Sequence, residues 1–124
     1  MKKNLPDAPI PDGEIPQRIL GAIGLARRAG KLLVGSEIVI DAMRRGTGKL
    51  VCVASDASAG TVKKLRDTAA FHRVPYLTLE TDMASLAAML GKKGNTASVL
   101  ITEEGFVRII RRYRTIDTDT ITEV

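Results

Sequence analysis

The stretch LARRAGKLLVGSEIVIDAMRRGTGKLVCVAS, residues 25–55, holds the reading that decides the fold. Its end, KLVCVAS (49–55), is short and almost wholly apolar, as a central strand must be when helices cover both of its faces. Ahead of it, Ile38, Val39, Ala42 and Met43 recur at helical spacing. Ser36 is a good N-cap and Gly46 a natural stop, so a helix is predicted from Ser36 to Arg45. KLLVG, before that helix, reads as a short strand. Arg27 and Arg28 finish an earlier helix that Gly30 ends.

The same alternation continues outward. Toward the N-terminus a helix is predicted over Gln17–Ala29, with Pro16 in its first turn and Ile19, Leu20, Ile23 and Ala26 on one face. Gly21 and Gly24 are poor helix formers, which points to close packing by another element. Toward the C-terminus the loop DASAGT leads to a helix with Val62, Leu65 and Ala69 on its apolar side. Then come a strand at VPYLTLE, with Pro75 at its entry, and a helix at TDMASLAAML that Gly91 stops. A basic turn GKKGN, a strand at ASVLIT and a closing helix at EEGFVRIIRRYR complete the pattern. Glu103 and Glu104 suit the positive start of that last helix, and Arg111, Arg112 and Arg114 suit its negative end. Four strands alternating with helices predict an α/β protein, a three-layer α/β/α sandwich around a small sheet. The domain is drawn at residues 16–114, between a flexible proline-containing leader (1–15) and a loose polar tail (115–124).

Composition narrows the function. The 124 residues are 44% hydrophobic and only 3% aromatic, so the core is aliphatic. Four aromatic rings and no tryptophan argue against an aromatic platform for stacking successive bases. No apolar run approaches the ~18 residues of a membrane span. The single cysteine, Cys52, lies inside a predicted buried strand, which fits a reducing, cytoplasmic setting. The net charge of +5 understates the central domain: residues 15–114 carry 17 Lys and Arg against 8 Asp and Glu, a surplus of nine. Such a surplus favours a polyanionic partner, since neutralising phosphates releases counterions.

Catalytic signals are weak. His72 is the sole histidine and no exposed cysteine can join it, so no metal site is expected. No nucleophile elbow, Walker loop or dinucleotide fingerprint is present. Ser55-Asp56 lies just beyond a strand, where open α/β sheets bind ligands, but such a pair before a helix is more often a helix-capping loop. The chain is therefore read as a binding protein, neither an enzyme nor a holder of any cofactor.

Binding signals are stronger. Arg27, Arg28, Lys31, Arg44, Arg45, Lys49, Lys92 and Lys93 gather near glycine-rich connectors. The backbone N–H groups of Gly35-Ser36-Glu37 add the positive end of a helix, which favours a phosphate. Glu37 has two available roles there, as a first-turn acid or as an acceptor for a guanine edge.

AGKLLVGSEIVIDAMRRGTGKLVCVASDAS (29–58), with VPYLTL, LAAMLG, ASVLIT and ITEEGF after it, resembles the L7Ae/L30e family of ribosomal proteins, in particular its small bacterial ribosome-associated branch. Gly46, Lys49, Leu50, Val51, Ala54 and Asp56 form the most specific segment, and the resemblance spans about residues 17–112. It implies a mixed sheet and a surface for kink-turn RNA on the connector and start of the second helix, with an apolar loop near the fourth. In that family a Gly-Thr-Asn-Glu pattern, followed two residues on by Lys, meets tandem sheared G·A pairs. Here Gly35 and Ser36 match the Gly and Thr. Glu37 stands for the Asn, Ile38 for the Glu and Asp41 for the Lys, while Arg45-Gly46 keeps the pattern. Ala87 replaces a glycine usual after Leu86.

The resemblance makes Gly35, Ser36, Glu37, Ile38, Asp41 and Leu86 the RNA-facing set, framed by Arg27, Arg28, Lys31, Arg45 and Lys49. It implies ribosomal or other structured RNA as partner, the ribosome included, and no membrane. Kink-turn specificity is expected to be altered or relaxed, because two base readers and a lysine are replaced. Two other readings use the same fold: the RNA-recognition module of a larger RNA-modifying protein, and a protein-interaction adaptor presenting Met83, Leu86 and Met89.

Overall fold

The computed structural model describes residues 14–114 and 116. Most of the expected leader and tail lies outside them. The N-terminal helix, α1 (Ile15–Arg28), starts two residues before Gln17, with Pro16 in its first turn, where a missing N–H costs nothing. It leads into β1 (Leu32–Val34), α2 (Ser36–Arg44) and β2 (Leu50–Val53). After these come α3 (Ala59–Phe71), β3 (Tyr76–Thr78), α4 (Met83–Met89), β4 (Ser98–Ile101) and α5 (Glu104–Arg111). Every strand and helix expected from the pattern is present. The strands are shorter than their apolar runs, because only the paired residues form the sheet.

The sheet has the order β1-β4-β2-β3. β4 is antiparallel to both neighbours, with Ile101 opposite Leu32 on one side and Leu50 on the other. β2 and β3 are parallel, Val51 facing Tyr76. The expected mixed four-stranded sheet is what forms. β2 and β4 are its two central strands, and every residue in both is buried.

Alternation along the strands sends successive side chains to opposite faces. Leu50, Cys52, Val99 and Ile101 meet Ile19 and Ile23 of α1, Leu86 of α4, and Val107 and Ile110 of α5. Val51, Val53 and Leu100 meet Val39 and Met43 of α2, and Leu65 and Ala69 of α3. Two aliphatic cores therefore sandwich one sheet. Burial pushes the Cys52 thiol up to about 12, so it stays protonated at neutral pH and serves as packing. Ile116 is fully buried in the first core, so the packed body reaches past Arg114. Among the described residues no helix is long and apolar enough to cross a membrane.

The α1 glycines correct one expectation. A Cβ at Gly21 would meet nothing within 4 Å, and one at Gly24 would meet only the Met89 sulfur at 4.0 Å. Among the described residues no close approach requires either glycine, so the helix bears their entropic cost without compensation. Gly21→Ala is expected to stabilise the protein by about 0.5–1 kcal/mol, read as a rise in the urea midpoint at unchanged slope. A lower midpoint would overturn the reading that Gly21 serves no packing need.

Candidate nucleic-acid interface

The start of α2 is set by its neighbour in space. Gly35 takes φ 106°, turns the chain out of β1, and occupies the N-cap position expected for Ser36. Ser36 becomes the first helical residue, and its hydroxyl turns inward to the Ser98 hydroxyl at 2.9 Å. The Gly35 N–H donates to the Ser98 carbonyl at 3.1 Å. The fully buried Ser98 thus holds the start of α2 against the central strand β4 through both backbone and side chain. Ser36 was predicted to cap because its type favours caps; a partner 62 residues away takes the hydroxyl instead.

Among the described residues no side chain caps α2, as is also true of α1 and α5. By contrast, Ser58 Oγ accepts from the Thr61 N–H at the start of α3, and Asp82 Oδ1 from the Ser85 N–H at the start of α4. That bond holds the Asp82 carboxyl below its usual range, since the charged form is the better acceptor. The uncapped positive end of α2 faces solvent beside an exposed Glu37 and Ile38, the isoleucine 55% exposed. Asp41, one turn further on, is exposed and ion-paired with Arg45 at 2.7 Å.

Two loops flank this end. The segment after β2 places Asp56 so that its carboxylate accepts from the Met83 N–H at 2.8 Å, closing α4 from 27 residues away. Asp56 is therefore a capping residue, of α4 rather than of the helix that follows it. At the same end of the sheet, the exposed turn carrying Lys92 and Lys93 leads through Thr96 and Ala97 into Ser98. The Ala97 carbonyl accepts from the Ala54 N–H at 2.8 Å, which fixes that segment beside the end of β2.

The framing residues sit elsewhere. Lys31 precedes β1, and its carbonyl accepts from the Thr102 N–H; Lys49 precedes β2, and its own N–H donates to the Ile101 carbonyl. Both flank the end of β4 opposite to Ser98. Arg27 and Arg28 close α1 just before β1, and Arg45 caps the far end of α2, about 13 Å from its start. The structure therefore divides the candidates between two ends of the sheet, correcting the single framed surface drawn from the sequence. Charge at the second end is partly offset, since Lys31 pairs with Glu103 at 3.5 Å.

Leu86 is a further correction: it is fully buried in the first core, as is Ala87, so neither side chain is presented to a partner. The adaptor surface shrinks for the same reason, because Met83 is half-buried and only Met89 is exposed. Lys92 and Lys93 were singled out for charge but omitted from the RNA-facing set; their turn leads into the end of β4 where Ser98 holds Gly35 and Ser36. Among the described residues no group of three His, Cys, Asp or Glu could hold a metal ion.

Comparison with known proteins agrees with this architecture. Residues 17–111 match the profile of the Ribosomal protein L7Ae/L30e/S12e/Gadd45 family. The RNA-binding protein YlxQ of Enterococcus faecium is 37% identical over 92 residues, covering 74% of this chain and 86% of that protein. A solved protein of unknown function from Bacillus halodurans C superposes with a TM-score of 0.69 at 32% identity, covering 76% of this chain and 93% of the other. The Giardia lamblia 15.5kD RNA binding protein superposes with a TM-score of 0.70 at 17% identity, over 90% and 97% of the two chains, which speaks for the fold. With nearly all of the described body matched by one profile, the chain belongs to the Ribosomal protein L7Ae/L30e/S12e/Gadd45 family.

Proposed function

We propose that this protein is a non-enzymatic RNA-binding protein of the cytoplasm that meets structured or ribosomal RNA with the start of α2. The observation that supports it is the uncapped, exposed N-terminal end of α2, held rigid by Ser98 in a family member with a relative named for RNA binding. Open N–H groups and a helix dipole suit a phosphate, and Lys92 and Lys93 on the turn before β4 add positive charge toward the same end of the sheet. Base reading is weakened. Ile38 offers no hydrogen bond, and Asp41 brings a negative charge whose nearest partner is Arg45.

Affinity on this reading comes mainly from charge, and kink-turn specificity is relaxed. The test is a gel shift with a kink-turn RNA and a control whose G·A pairs are disrupted, at several salt concentrations. Both RNAs are expected to bind within about tenfold of each other, with log affinity falling against log salt at a slope of roughly −3 to −4, as for about four phosphate contacts. A preference beyond about a hundredfold would overturn relaxed specificity. Binding to neither RNA would overturn the RNA-binding reading.

A further inference from the structure

Of the four aromatic rings, three are packed. Tyr76 is buried beneath the Arg66 guanidinium, 4.2 Å from its ring centre, and Phe106 and Tyr113 lie half-buried against the first core. Phe71 is 82% exposed. It ends α3 on the side away from Leu65 and Ala69, with its ring edge-on to His72 at 4.9 Å between centroids. Isolated surface apolar residues are common and need no explanation. This one, however, lines a shallow groove, largely open to solvent, together with Arg44, Asp67, Thr68 and His72, between the ends of α2 and α3. Asp67 is the acid in that groove, and Lys63 pairs with it at 2.8 Å. Arg44 is exposed.

A second observation points to the same place. Helices α1, α2 and α4 each end on a glycine at positive φ, namely Gly30, Gly46 and Gly91. Each is closed by paired backbone bonds, such as Lys31 N–H to the Ala26 carbonyl and Gly30 N–H to the Arg27 carbonyl. α3 closes with the same bonds, Val74 N–H to the Ala69 carbonyl and Arg73 N–H to the Ala70 carbonyl, yet the residue in the glycine position is Arg73 at φ 58°. It is the one non-glycine residue at positive φ among the described residues. A side chain there strains the backbone, and glycine would relieve it. Arg73 is exposed and lies two residues past Phe71, at the rim of the groove rather than in its lining.

We propose that this groove is a subsite for an unpaired nucleotide, its base stacked on Phe71 and its flanking phosphates held by Arg44 and Arg73. The proposal rests on the RNA-binding reading and extends it to the opposite end of α2, on the side where Arg45 and Lys49 also lie. The low aromatic content does exclude a platform for a run of bases, but one exposed ring with an arginine in the same groove suffices for one base.

The probe is a single-stranded hexaribonucleotide carrying one 2-aminopurine, titrated into the full chain, with a blunt hairpin as control. Binding is expected to quench the fluorophore. Phe71→Ala should weaken hexamer binding roughly 5- to 150-fold, while Phe71→Tyr retains it. Affinity for the blunt hairpin should not change with either variant, because the α2 start is untouched. Arg73→Gly should raise the Tm by a few degrees and also weaken the hexamer, which a merely structural role for Arg73 would not do. Wild-type affinity for the hexamer in both Phe71→Ala and Arg73→Gly overturns the proposal. So does concentration-dependent self-association that Phe71→Ala abolishes without any fluorescence response in the wild type, which would make the groove a protein contact. A protein that binds the hexamer but not the hairpin leaves this subsite standing and removes the α2 surface; the reverse result does the opposite.

Discussion

Leu100→Ala is expected to lower the urea midpoint by the equivalent of about 3 kcal/mol of stability. Leu100 lies on central strand β4, opposite Leu33 of β1 and Val51 of β2, and is fully buried against α2 and α3. Truncating a leucine in such a place removes its transfer energy and leaves a void that rigid strands on both sides cannot close, for a cost of about 2–5 kcal/mol. A specific neighbour sharpens the test. Gly48, at φ 129°, sits where a Cβ would come within 2.8 Å of Leu100 Cδ1. Gly48→Ala alone should cost about 1–3 kcal/mol, from backbone strain and overpacking together. In Leu100→Ala/Gly48→Ala the added methyl enters space the leucine has left. The double variant should therefore be less destabilised than the sum of the singles by about 1 kcal/mol, with the strain at Gly48 remaining. Strict additivity would show that Leu100 is not what excludes a side chain at position 48.

A change in the opposite direction is expected at the start of α2. Glu37→Asn combined with Ile38→Glu places an amide and a carboxylate at two exposed positions on a rigid helix end, where the family pattern has its base readers. Each good bidentate base contact is worth about 1–3 kcal/mol of discrimination. The preference for a kink-turn RNA over its G·A-disrupted control should rise by roughly 5- to 150-fold if one such contact forms, measured by gel shift at fixed salt. The salt slope should stay the same, because neither substitution adds a cation. No gain in preference would mean that α2 does not face the G·A pairs, and the proposed orientation would fail with it.

These two variants draw on different kinds of legibility. Leu100 and its strand could be read in the sequence, since ASVLIT is short, apolar and bounded by a turn, as KLVCVAS is. Both proved to be the central strands, because only strands with a layer on each side need to be apolar throughout. Helix ends were equally legible, with Gly30, Gly46 and Gly91 all in place. The site was less so. Ser36 carries a typical capping signal, yet its hydroxyl goes to Ser98; Asp56, read in a capping loop for the helix that follows it, closes α4 from 27 positions away instead. Leu86 looked like a surface residue by family pattern and lies in the core. In each case a contact made across the sheet outweighed a preference written in neighbouring residues.

By itself, the sequence determined the order of strands and helices, the aliphatic character of the two cores, the surplus of positive charge and the likeness to a family. All of these depend on residue type and short-range spacing. Only the tertiary structure decided which charged residues share an end. β4 enters the sheet antiparallel between β1 and β2, which sets Ser98 beside Gly35 and Ser36 and leaves Lys31 and Lys49 at the opposite end. Spacing along the chain cannot show this, because the pairing joins segments 45 or more residues apart, as Ser98 opposite Val53 does. The exposure of Phe71 was decided in the same way: the face of α3 that packs is chosen by α2 and the sheet, and the remaining face carries its ring into solvent.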